Sequence, residues 1–221
     1  MGIFRRRWGG VSVLIDNKPG YLWYVSPGLI NVQAPDDNIQ GCVNVTVTTP
    51  NGTVNSQVTL QPQQPSFSLL SGKYVVAEIL TPDGSGAFGS YDLAGPVGAF
   101  AFKTRPVKAG ETIVLYGVGF GATATKVAAG QFPAAPTPTL LVPNITIGGV
   151  TAQVQYSGLI GPGLYQMNVV VPQVPSGDQP IVATLFAPNP LLFSADATQN
   201  CKDPDPQGAA PVNCAVYLPV Q

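Results

Sequence analysis

The feature that most constrains this chain is a two-residue rhythm. Apolar and polar side chains alternate in short runs along most of the 221 residues, and clusters of Pro and Gly stop each run within a few positions. A period of two puts every second side chain on one face of an extended strand, whereas a helix needs a period near 3.6. Helical periodicity is nearly absent. Short alternating runs with turn residues at regular spacing predict an all-β fold of the sandwich type.

The runs divide into two sets. Residues 11–15, 21–25, 29–33, 42–48 and 53–60 read as five strands. Val43, Val45 and Val47 share one face of the fourth, and Pro50-Asn51-Gly52 turns it into the fifth, because Asn-Gly accepts positive φ. Gln61-Pro62-Gln63-Gln64-Pro65 is a short, stiff linker. Further strands are expected at 74–80, 111–116, 142–147, 152–156, 165–171 and 181–186, with a Gly-, Ala- and Ser-rich loop at 84–98. A last strand at 216–220 contains Pro219, which favours a sheet edge. The expected organisation is a tail at 1–10, a first module at 11–62 and a second at 66–221.

Composition narrows the chemistry. Charged residues make up 10% of the chain, against about 25% in an average soluble domain. A net charge of −1 supplies no basic field for nucleic acid or anionic lipid. The chain has no histidine, which excludes Ser-His-Asp triads, Cys-His dyads and His-based metal sites. No cofactor is expected. No apolar run approaches the ~18 residues of a membrane-spanning helix. Arg5-Arg6-Arg7 resembles the charged start of an export signal, but no apolar core follows it, so the arginines read as a solvated tail.

Cys201 and Cys214 flank a polar loop, and a disulfide between them would stabilise the chain by about 3 kcal/mol. Cys42 is left over and reads as a buried free thiol packed as a small hydrophobe. Asp36-Asp37-Asn38 and Asp203-Pro204-Asp205 bring acids together, but neither carries a calcium-loop pattern; both read as solvated turns. The only glutamates, Glu78 and Glu111, lie in or beside expected strands and form no cleft-flanking pair, so no enzymatic activity is expected. Gly117-Val118-Gly119-Phe120-Gly121 follows a strand without a helix after it or a phosphate-binding lysine, and reads as a strand exit. Asn44, Asn51 and Asn144 head glycosylation-type triplets that read as ordinary strand sequence. Tyr21, Trp23 and Tyr24 form a candidate ligand platform, with Tyr21 and Trp23 on one strand face and Tyr24 on the other. Burial in the sandwich is the competing expectation for these rings. Phe88, Tyr91, Phe100 and Phe102 line the glycine-rich middle stretch.

The two sets of strands echo one another. Gly9-Gly10-Val11-Ser12 is repeated by Gly148-Gly149-Val150-Thr151. Leu29-Ile30-Asn31-Val32-Gln33-Ala34-Pro35 is repeated by Gln166-Met167-Asn168-Val169-Val170-Val171-Pro172. Two copies of one β unit imply tandem modules. Asn31 and Asn168 sit at equivalent places, where an amide is expected to satisfy backbone groups at a strand end.

Three stretches carry a family resemblance. These are Tyr24-Val25-Ser26-Pro27-Gly28-Leu29-Ile30-Asn31-Val32-Gln33-Ala34-Pro35, residues 110–121, and the run from Ile147-Gly148-Gly149-Val150 through residues 163–172 to Ser176-Gly177-Asp178. Together they cover about residues 9–187 and resemble an uncharacterised C-terminal domain family of secreted proteins, first defined in Solibacter and other Acidobacteria. The resemblance implies two extracellular Ig-like modules and carries over no catalytic residues. Five strands fall short of the roughly seven of an ordinary Ig-type sandwich. An incomplete module exposes a sheet edge, and exposed edges recruit partner strands. The expected function is therefore structural or adhesive, outside the cell, through contacts with protein partners or with further copies of itself. Head-to-tail strand pairing into filaments is its specific form. Carbohydrate binding on the Tyr21, Trp23 and Tyr24 platform is the alternative.

Overall fold

Alternation becomes extended strand throughout. The computed structural model describes residues 4–70, 73–80, 91–185 and 216–221, and no α-helix occurs among them. The chain is all-β, and nearly every strand pairing is antiparallel.

The first unit contains β1 (Ser12–Ile15), β2 (Lys18–Pro19), β3 (Tyr21–Ser26), β4 (Leu29–Gln33), β5 (Gly41–Thr49) and β6 (Gly52–Leu60). One sheet has the order β2-β1-β5-β6, and the hairpin β3-β4 faces it. Val13, Ile15, Leu22 and Val43 form the buried centre, with Val25, Ile30, Val32, Val45 and Val47 packed around it. The expected face of Val43, Val45 and Val47 is thus the inner face. Asp16 and Asn17 turn β1 into β2 at φ +50° and +60°, a left-handed conformation that short polar side chains tolerate.

The second unit contains β7 (Ser66–Phe67), β8 (Leu69–Leu70), β9 (Tyr74–Val75), β10 (Ala77–Leu80), β11 (Tyr91–Leu93), β12 (Thr112–Val118), β13 (Thr137–Pro138), β14 (Asn144–Ile147), β15 (Val150–Thr151), β16 (Gln153–Gly161), β17 (Leu164–Val170), β18 (Gly177–Thr184) and β19 (Tyr217–Val220). Its two sheets have the orders β11-β10-β12-β17-β16-β13 and β15-β14-β18-β19-β9-β8, with β7 against the end of β12. Ile79, Ile113, Leu115, Met167 and Val169 from one sheet share a core with Ile145, Ile147, Ile181 and Leu218 from the other. Burying each of these side chains is worth about 1.5–3 kcal/mol.

The internal repeat is a structural one. β1 to β6 and β14 to β19 have the same neighbours: β2-β1-β5-β6 in one unit and β15-β14-β18-β19 in the other, each with a facing hairpin, β3-β4 or β16-β17. Even the irregularities agree. A bulge follows Leu22 and sets Tyr24 opposite Asn31; a bulge follows Val154 and sets Tyr156 opposite Asn168. The glycine echo is out of register. Gly9-Gly10 and Gly148-Gly149 make the same turn, at φ +59°/+82° and +59°/+79°, but Gly9-Gly10 precedes β1. The place of Gly148-Gly149 between β14 and β15 is held in the first unit by Asp16-Asn17 between β1 and β2.

Several other expectations change. The expected strand at 74–80 breaks at Val76, so that β9 joins one sheet and β10 the other. Pro219 is not at an edge: β19 lies between β18 and β9. Its carbonyl accepts from Val107 N (2.9 Å), and the N and O of a strand residue point the same way. The N–H that proline lacks would therefore point away from β18, where the neighbour changes from β9 to Val107. Cys42 is exposed rather than buried, because it faces outward from β5 while Val43 faces in. Arg5 is not a free tail: it exchanges backbone hydrogen bonds with Leu22 of β3 (3.1 and 2.8 Å). Asn168 sits inside β17, and its amide oxygen accepts from Gln166 Nε2 (2.8 Å) rather than from backbone. Cys201, Cys214, Asp203, Asp205 and Phe88 lie outside the described residues, and the expected disulfide with them.

Candidate interaction edge

β6 pairs with β5 over its full length without a bulge, from Gly52 opposite Thr49 to Leu60 opposite Gly41. On its other side no strand pairs with it among the described residues. Every residue of β6 except Leu60 is exposed. Val54 and Val58 stand directly opposite Val47 and Val43, so they lie on the inner face of the sheet. The facing hairpin covers β1 and β5 and stops short of them: Val54 is 69% exposed and Val58 41%.

Natural sheet edges are blunted by lysine, proline, bulges or short length. β6 has none of these along its nine residues, and no charged residue occurs between Asp37 and Lys73. The other outermost strands are shorter: six residues in β3, five in β4, three in β11 and two each in β2, β8, β13 and β15. β4 also lacks a neighbour on the side away from β3 among the described residues. β3 lies against β1, so β4 falls on the side of β5 and β6; its open edge and the exposed inner face of β6, Val54 and Val58 with Ser56 between them, border one largely apolar notch. Sequence reading anticipated an open edge but not Val54 and Val58; the uncharged stretch around them was the available signal.

The aromatic platform is divided. The bulge between Leu22 and Tyr24 resets the alternation, so Trp23 and Tyr24 both face outward while Leu22 and Val25 pack inward. Trp23 is 42% exposed and stacks on Phe4 (6.2 Å between ring centres), and Tyr24 is 47% exposed. Tyr21 is partly covered: the Arg6 guanidinium lies over its ring at 5.4 Å, and Gly130 packs against the ring, where a Cβ would clash. Tyr21 therefore offers less open ring surface than Trp23 and Tyr24.

The acidic turn borders a cleft of about 400 Å³ between the units, lined by residues of 36–40 and by Gln61, Gly119, Gly121 and Tyr165. Its carboxylates are engaged locally. Asp37 accepts from Lys18 Nζ (2.9 Å) and from Ile39 N (3.1 Å), and the lysine contact holds its carboxyl below the ordinary value. Asp36 lies 3.3 Å from Lys126 Nζ. The glycine run at 117–121 is where the linker passes closest. Gly119 O accepts from Gln64 N (3.0 Å), and a Cβ on Gly119 would run into the Gln64 backbone.

The glutamates are also engaged. Arg105 grips Glu111 with two hydrogen bonds (3.0 and 2.9 Å) and Asp92 with a third (2.7 Å), tying β11 to the start of β12. Glu78 accepts from the Tyr116 hydroxyl (3.0 Å), and burial together with that carboxylate pushes the tyrosine pKa well up. No helix among the described residues is long and apolar enough to cross a membrane. The chain matches no protein-family model, no curated protein and no solved structure.

Proposed function

We propose that this protein is a non-catalytic structural or adhesive β protein of the cell exterior, acting through protein–protein contacts at the open notch of its first, Ig-like module. The observation that carries this reading is β6: nine uncharged residues, all but Leu60 exposed, with Val54 and Val58 on the inner face and no outer partner among the described residues. An edge of that kind is a template for strand addition. Copies joined head to tail by such a contact form a filament unless the rotation closes into a ring. The extracellular location rests on the family resemblance and on the low charge.

Light scattering on a sizing column, with negative-stain imaging of the same sample, tests the reading. Oligomers or filaments are expected, and the double variant Val54→Lys/Val58→Lys is expected to abolish them. A monodisperse monomer at every concentration overturns self-assembly. A second reading, carbohydrate binding, is favoured by one observation: Trp23 and Tyr24 are adjacent and both exposed. A glycan screen in which Trp23→Ala removes binding would support it.

A further inference from the structure

Among the described residues, the second unit contains a flanking strand that the first lacks, and it names the kind of strand that fits. β17, the counterpart of β4, is flanked by β12, which runs antiparallel with Ile113 opposite Val169 and Leu115 opposite Met167. Val169 and Met167 correspond to Val32 and Ile30 of β4. Ile113, Leu115, Met167 and Val169 are all 0% exposed. Leu218, the counterpart of Val58, is 0% exposed in the same core. In the first unit, Ile30 and Val32 remain half-buried and Val58 is 41% exposed.

We propose that the notch of the first unit binds an extended, uncharged strand of a separate polypeptide, antiparallel to β4, with aliphatic side chains two residues apart over Val54 and Val58. The backbone would take up the free edge of β4, as β12 takes up the edge of β17. The alternating aliphatics would fill the place that Ile113 and Leu115 fill in the second unit. Charge agrees with this occupant: residues 112–118 carry none, and neither does either side of the notch, β4 at 29–33 or the stretch from 38 to 72 that holds β6. A charged strand would leave its charge against apolar surface with no counter-ion. The inference rests on the contact reading above and specifies its partner.

The probe is a synthetic peptide of residues 112–118 carrying a fluorophore and two added lysines for solubility. It is titrated into the full chain by fluorescence anisotropy, and amide hydrogen exchange is followed on the same complex. Saturable binding is expected, with new protection at 29–33. Binding should weaken at least about tenfold, or 1.4 kcal/mol, in Val54→Lys/Val58→Lys. A second probe does not depend on a folded variant: the same peptide N-methylated on the edge that would meet β4 should lose binding. The proposal is overturned if the peptide does not bind. It is also overturned if a scrambled peptide with clustered aliphatics binds as well, or if protection appears only along 52–60. If the chain assembles in the scattering experiment and the peptide neither binds nor dissolves the assembly, the contact reading stands and this occupant falls.

Discussion

Leu218 and Val58 hold the same place in two copies of one six-strand arrangement, yet Leu218 is fully buried and Val58 is 41% exposed. Their own strands do not explain the difference, since each is the antiparallel partner of an equivalent strand, β18 or β5. What differs is the flank. In the second unit β12 and β10 extend the facing sheet past β17, and β9 continues the sheet beyond β19. In the first unit nothing among the described residues continues either sheet past β4 or β6. A local pattern of alternating valines makes a strand, but only neighbours distant in the chain decide whether its inner face is core or surface.

The largest effect expected from this comparison is on stability. Leu218→Ala should cost the second unit about 2–5 kcal/mol, because a buried leucine leaves a cavity. Val58→Ala should cost the first unit less than about 0.5 kcal/mol, as for other surface changes. Two separate cores make a single unfolding free energy ill-defined, so hydrogen exchange on each unit is the suitable measurement. Equal losses at the two sites would break the comparison and mean that the notch is already filled in solution. A loss at Val58 that appears only at high protein concentration would assign the filling to a second copy.

A medium effect separates the two equivalent turns. Gly149 sits at φ +79° with open space where a Cβ would go, so Gly149→Ala meets only the backbone penalty of about 1–2 kcal/mol. Asn17→Gly should instead stabilise its turn by less than about 1 kcal/mol, since asparagine already tolerates φ +60°. Thermal unfolding with exchange readout at β1–β2 and β14–β15 checks both. A gain from Asn17→Gly as large as the loss from Gly149→Ala would show that Asp16-Asn17 is a strained stand-in rather than an equivalent solution.

That turn also marks the limit of what the sequence makes legible. The five main strands of the first unit follow directly from alternation and turn residues, and the Asn31/Asn168 correspondence marks a real repeat. Matching Gly-Gly to Gly-Gly misplaces the repeat by one hairpin, because Asp-Asn and Gly-Gly solve the same left-handed turn with different letters. The inward position of Pro219 is hidden for a related reason: proline forbids only the side toward which its N–H would point. The bulge before Tyr24 has no composition signal, so the outward placement of Tyr24 beside Trp23 could not be read. The open edge was legible as a missing strand count, while Val54 and Val58 look like any other valines until the facing hairpin is seen to be two strands wide.

The smallest expected effect is electrostatic and falls on the completed unit. Burial raises the Glu111 carboxyl, but hydrogen bonds from Arg105 and the Lys108 amide outweigh it and leave its pKa below the ordinary value of 4.5. A carboxylate depressed by folding contributes stability that is fully present above its unfolded pKa and is lost as pH falls through the folded one. The second unit should therefore weaken on acidification from about pH 4.5 downward. Arg105→Met should remove that acid step and cost about 1 kcal/mol or less near neutral pH, because arginine and glutamate are 29% and 24% exposed and partly screened by water. In the first unit Asp37 is lowered in the same direction by Lys18, but that pair is open to solvent. Lys18→Met should change the acid profile of its unit less than Arg105→Met changes the other. Exchange rates of β1 and β12 followed between about pH 3 and pH 6 measure both. A steeper acid loss in the first unit than in the second would mean that the Asp37 turn bears more of that unit's stability than its exposure allows, and would move attention from the notch to the cleft beside it.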